Sequence, residues 1–263
     1  MSQGADYALL NTKLTDGPPL LLLQNGDHRV FWLGIQDETA FRCNVYLIVD
    51  GQRVILVDPG NRSYFPVVSE ALRCTVGKDL PVTDIILCHQ DPDVAASMVD
   101  WLEVNPTIHI LTSPRTHVLL PHYGIKNYAY YDICEQPVLA LPSGARLRFI
   151  EAPFLHFSGA FTTYDTATHA LFSGDIWAAL DLEWQLIVDD FDAHIAKMDL
   201  FHLDYMACNL AARGFVRNLR GLDIQTILPQ HGSIIGSEHV PHALDYLKNL
   251  QCGVDLIYAD LED

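Results

Sequence analysis

Residues 84–97 read DIILCHQDPDVAAS. An apolar run of strand length stops abruptly at His89. Two aspartates follow at alternate positions, Asp91 and Asp93, and a helix-forming stretch begins at Val94. A short apolar run closed by turn residues reads as a buried strand, and Pro92 holds Asp91 in an extended conformation. Asp93, just before the helix, suits an N-cap as well as a metal ligand. His89, Asp91 and Asp93 together put three metal-competent side chains at one strand end.

Working outward, NVYLIVDGQRVILVDPGN (44–61) is two β-rich runs flanking Asp50-Gly51, a strong hairpin signal. FPVVSEALRCTVG (65–77) has helical spacing, VAASMVDWLEVN (94–105) reads as one helix, and TIHILTS (107–113) as a strand. ARLRFIEAP (145–153), HALFSGD (169–175) and QTILPQHG (225–232) are strands running into polar loops, with helical character at 191–215 and 239–251. Alternating strands and helices imply layered α/β architecture. No linker or internal repeat divides the chain, so one domain over residues 1–263 is expected.

The formal net charge of −17 disfavours nucleic acid and anionic membrane surfaces as partners. No apolar run approaches the roughly 20 residues that span a bilayer. Met1–Leu14 lacks a basic segment followed by an apolar one. The six cysteines form no C-x-x-C pair. A reduced, cytoplasmic setting is therefore expected.

Four segments share one pattern, an aliphatic run ending at His or Asp: IILCHQDPD (His89, Asp91, Asp93), FIEAPFLHFSG (His156), ALFSGD (Asp175) and TILPQHG (His231). Loops at strand ends of open α/β sheets are where binding residues collect. Three imidazoles and three carboxylates can hold two metal ions with one carboxylate bridging. Taken singly, each has an ordinary alternative as a turn, cap or hydrogen-bonded residue.

HQDPDV resembles the H-x-[HE]-x-D-H signature of the metallo-β-lactamase superfamily. NVYLIVDGQRVILVDPG, HFSGAFTTYDTATHALFSGD and LPQHG are similar to further blocks of the lactamase-like domain of flavodiiron proteins and of stand-alone oxygen-binding diiron proteins. The resemblance implies an αββα sandwich with two iron ions at one edge, zinc or manganese being alternatives. It implies His89, Asp91 and His156 on one metal, Asp93 and His231 on the other, and Asp175 as the bridge. Asp58 then orients the ligand loops, while His194 and His202 stand outside the ligand set.

Two departures matter. Asp91 replaces a histidine of hydrolytic relatives, as in flavodiiron proteins, and Val94 replaces the closing histidine. An oxygen-rich set shifts preference from zinc towards iron and manganese. Strand alternation is expected to turn Cys88 away from His89, so no thiolate ligand is expected. In several flavodiiron relatives the closing histidine does not bind metal, so Val94 need not abolish the second site. It leaves that metal with few protein donors and an apolar surface beside it, which suits a small neutral gas, although an open position also suits hydrolysis.

The resemblance thus implies a protein that binds O2 or NO, as a sensor or as a reductase module, and a homodimer. No flavodoxin domain is expected in residues 1–263, so an external electron donor or a signalling protein is the expected partner. The competing reading is a dinuclear hydrolase of a phosphodiester or lactone-like ester, with a metal-bridging hydroxide as nucleophile and Asp93 as the catalytic residue that positions it. A third is a metal-stabilised signalling scaffold without turnover.

Overall fold

The computed structural model describes residues 19–34, 39–77, 80–183 and 185–261. The Met1–Leu14 segment discussed above lies outside the described residues. β1 (Leu20–Asn25), β2 (His28–Trp32), β3 (Tyr46–Asp50), β4 (Arg53–Val57), β5 (Asp84–Ile86), β6 (His109–Thr112) and β7 (Ala129–Asp132) lie side by side in chain order in one seven-stranded sheet. The first four pair antiparallel and the last four parallel. β8 (Val138–Ala140), β9 (Arg146–Glu151), β10 (Phe161–Asp165), β11 (Ala170–Gly174) and β12 (Thr226–Pro229) form a second sheet in the order β12-β11-β10-β9-β8.

The period of two along each strand explains the layering. In β3, Tyr46 and Ile48 join the core between the sheets, whereas Leu47 and Val49 join a second apolar cluster on the outer face. Ile55 and Val57 of β4 face inward with them, and Val54 and Leu56 outward. A strand apolar on both faces must be covered on both. The outer face of the first sheet is covered by α1 (Phe65–Val76), α2 (Pro92–Ala95) and α3 (Met98–Val104). The outer face of the second is covered by α4 (Phe191–Tyr205), α5 (Asn209–Asn218) and α6 (Val240–Asn249), through Met198, Phe201, Phe215 and Leu247. Two sheets between two helical layers make the expected αββα sandwich.

The hairpin loop is Gly51-Gln52, because Asp50 pairs with Arg53 at the end of the ladder. Gly51 takes φ +57, a conformation that costs glycine little. Asp50 is drawn elsewhere. Its carboxylate meets His28 Nδ1 at 2.7 Å, and His28 Nε2 meets Asp165 at 2.7 Å, all three side chains being fully buried. This ion triad links β2 and β3 of the first sheet to β10 of the second.

The single helix expected over 94–105 is two helices broken at Ala96-Ser97. Ser97 N–H donates to the Gly60 carbonyl at 3.1 Å and Gly60 N–H donates to the Val94 carbonyl at 3.2 Å. The loop after β4 therefore takes over backbone bonds that a continuous helix would make internally. Among the described residues no helix is long and apolar enough to cross a membrane.

Candidate metal centre

β10 runs antiparallel to both β9 and β11, and β12 is parallel to β11, so β9, β11 and β12 end at the same edge. The segments after these ends carry His156, Asp175 and His231. The loop after β5 brings His89, Asp91 and Asp93 to the same edge from the other sheet, and Cys43 arrives just before β3. All six residues anticipated from the sequence meet here, together with one that was not.

They form two groups. One donor atom each from His89, Asp91, His156 and Asp175 lie within 4.8 Å of one another, and so do donors from Cys43, Asp93 and His231. Asp175 faces both. Its Oδ2 is 3.3 Å from His89 Nε2 and 3.0 Å from His156 Nε2, while Oδ1 is 3.6 Å from His231 Nε2. Asp91 Oδ2 lies 3.3 Å from His156 Nε2, and Asp93 Oδ2 lies 3.1 Å from His231 Nε2. A carboxylate with one oxygen turned to each group is what a bridging ligand requires.

Buried polar atoms normally find hydrogen bonds, and leaving one without costs about 1–3 kcal/mol. Here His89 Nε2, His231 Nε2 and Asp175 Oδ1 are buried and make none, all three aimed into the cluster. Their outer atoms are engaged: His231 Nδ1 donates to the Arg42 carbonyl at 2.8 Å, and His89 Nδ1 sits 3.0 Å from Cys88 Sγ. Fixing Nδ1 by a second partner leaves Nε2 as the lone-pair donor that a metal needs. The donor set fits a pair of divalent cations.

Electrostatics point the same way. Burial alone lowers the affinity of His156 for a proton, but the carboxylates of Asp175 and Asp91 outweigh it and raise its pKa to about 9. His89 and His231 are raised well above the ordinary range despite burial, and Asp175 and Asp91 are lowered by the facing imidazoles. The carboxylates demand positive charge at every imidazole, and a divalent ion supplies it with the rings neutral.

Asp91 occupies the N-cap position of α2 yet makes no capping hydrogen bond, and Asp93 stands inside the helix. The capping alternative for Asp93 therefore falls away. The helix break leaves the Asp93 carbonyl free for Gln230 Nε2, which donates to it at 3.0 Å. Asp58, at φ +49, accepts from Cys88 N–H at 2.9 Å and so positions the ligand loop. Burial, opposed by that bond, pushes its pKa up to about 6.

His202 and His194 stand outside both groups. His202 Nε2 accepts from Trp177 N–H at 2.9 Å, two residues past Asp175. His194 is buried in α4, where desolvation lowers its pKa to about 4.

Three expectations need correction. Cys88 does not turn away from His89, because both residues lie beyond the end of β5, where strand alternation no longer applies. Val94 does not form the apolar surface of the site, being fully buried in the cluster under the first sheet. That surface is aromatic. Phe41 stacks on His231 with ring centroids 3.6 Å apart, and Phe201 and Tyr205 stand edge-on to His156. Lastly, a thiol does lie beside the second group. Cys43 is buried at 3% exposure, and burial pushes its pKa up against the pull of His231. Nothing local in the sequence marks Cys43, since its neighbours Asp93 and His231 are brought to it only by the fold.

The profile of the family described as "ODP family beta lactamase" matches residues 41–232. Among solved structures, the chain is similar to the one described as the peroxy diiron species of the chemotaxis sensor ODP, at 31% identity and TM-score 0.78. The match covers 92% of this chain and 99% of that one. Curated relatives include the Diflavin flavoprotein A 1 of Synechocystis sp., 24% identical over 77% of this chain and 35% of its own length. The anaerobic nitric oxide reductase flavorubredoxin of Enterobacter sp. is 26% identical over 57% of this chain and 31% of its own. The chain spans about a third of the length of these curated relatives.

Proposed function

We propose that this chain, which belongs to the ODP beta-lactamase family, is a non-haem diiron protein that binds O2 or NO. In this reading it works as a gas sensor in the cytoplasm, as one lactamase-like domain, and passes its state to a signalling protein. A reductase role would need an external electron donor. The observation that carries the proposal is Asp175, whose two oxygens face two separate ligand groups, in a chain alignable with nearly the whole of a diiron sensor.

We assign His89, Asp91 and His156 to one iron, Asp93 and His231 to the other, and Asp175 to both. When bound, a ferrous pair would supply the electrons that bind or reduce a small gas. The chain's own residues do the rest. Arg42 and Cys88 hold two imidazoles with Nε2 inward. Phe41, Phe201 and Tyr205 wall the imidazoles with apolar surface that limits water. Asp91 and Asp93, at 31% and 29% side-chain exposure, mark the side through which the site meets solvent. The carboxylate-rich donor set supports iron over zinc. The homodimer implied by the resemblance is part of the proposal and is read from sedimentation.

The test is anaerobic purification, metal analysis, and an absorption spectrum before and after O2. About two irons per chain and a new near-ultraviolet to visible band support the reading. A persistent adduct points to the sensor, and decay with turnover to the reductase. Zinc without spectral response would overturn it in favour of the hydrolase.

A further inference from the structure

We propose that Cys43 is a ligand of the second metal, giving that ion a thiolate beside the Asp93 carboxylate, the His231 imidazole and the shared Asp175. The inference rests on the dinuclear reading above and concerns the composition of one of its two sites.

Four observations carry it. Cys43 and His231 are paired backbone to backbone in an isolated antiparallel bridge, so their side chains are held in fixed relation. The sulfur lies with donors of Asp93 and His231 in a group no wider than 4.8 Å. His231 Nε2 is fully buried, aimed into this group, and without a hydrogen bond. The thiol is weakly held, reaching the Asp93 carbonyl only at 3.7 Å, and that oxygen already accepts from Gln230.

Cys43 also accounts for Val94. Where the resemblance places a closing histidine, Val94 lies in the core instead and offers no donor. A thiolate delivered from before β3 adds a donor to that group by another route. A divalent ion deprotonates a coordinating thiol outright. On binding, the Sγ–H proton leaves to solvent and a metal–sulfur bond forms, with no change of oxidation state. The two metals then differ in kind: the first has nitrogen and oxygen donors only, while the second carries one soft ligand that favours zinc or iron over manganese.

The chelator-treated full chain is loaded with Co2+ or Zn2+ alone. With Co2+, a thiolate-to-metal charge-transfer band in the near ultraviolet is expected. It disappears in Cys43→Ser, persists in Cys88→Ser, and Cys43→Ser binds its second Co2+ at least about tenfold more weakly. With Zn2+, X-ray absorption of the unmutated protein is expected to show sulfur at about 2.3 Å, a reading independent of how any variant folds. Two metals bound with neither band nor sulfur scatterer overturns the Cys43 assignment and leaves the dinuclear reading standing. A band that survives in Cys43→Ser overturns it as well. Failure to bind metal at all overturns both.

Discussion

Replacing His28 with leucine removes the one cation from a fully buried triad and leaves two carboxylates facing apolar surface. The His28–Asp50 and His28–Asp165 contacts are both 2.7 Å. Hydrogen bonds to charged groups contribute about 1.5–3 kcal/mol each, so losing two costs about 3–6 kcal/mol, in line with about 3–5 for breaking a buried pair. Asp50 keeps Ser143 and Asp165 keeps Ala167 N–H, which places the expected loss near 3–4 kcal/mol. That is a large part of the roughly 5–15 kcal/mol that holds a typical domain.

The loss has a predicted pH profile. Burial lowers the His28 pKa, but Asp165 and Asp50 outweigh it and the net shift is upward. Its contribution is therefore full below the unfolded value of about 6.5 and fades as pH rises through the folded value. Asp50 is lowered, against the effect of burial, by Ser143 and His28. Its contribution is present above about 3.9 and fades as pH falls through its folded value. The gap between wild type and His28→Leu is thus widest between about pH 4 and 6.5 and narrows towards alkaline pH. Urea unfolding with a chelator present, followed by tryptophan fluorescence at several pH values, measures it. A loss under about 1 kcal/mol at pH 6, or one that grows with rising pH, would refute the reasoning.

Asp175→Asn is expected to lower occupancy of both metals and Asp93→Asn mainly of one, as read by metal analysis after dialysis. Full retention by Asp175→Asn would sink the bridging assignment. Gly174→Ala forces alanine to φ +58 and puts a Cβ 2.8 Å from Cys88 Sγ, itself against His89. A loss of about 1–3 kcal/mol and weaker metal binding are expected, with Cys88→Ala restoring part of both. His202→Leu strips Trp177 N–H of its buried acceptor and is expected to cost about 1–3 kcal/mol in chemical denaturation.

How legible the molecule was depends on the range of the interaction concerned. Apolar runs that stop at His or Asp are local, and they located the strand ends that carry His89, His156, Asp175 and His231. The β1–β2 hairpin was overlooked, although Asn25-Gly26 between two apolar runs is a turn signal. The break in the helix at Ser97 could not be read locally, because its cause is the Gly60 backbone. Cys43 escaped for the same reason: its partners Asp93 and His231 stand 50 and 188 residues further along the chain, and only the fold, with a backbone bridge to His231, brings them to it. Chemical type was legible where neighbours in sequence are neighbours in space.

That separation has a consequence for how the centre comes into being. Its donors are drawn from segments spread between Cys43 and His231, and the second group is closed by its most C-terminal member. A chain growing from the ribosome holds most of the first group long before it holds the second. On the proposed ligand assignment the second site can therefore close only after the PQHG turn has emerged and β12 has docked beside β11, so the two sites differ in how early the growing chain can offer them a metal.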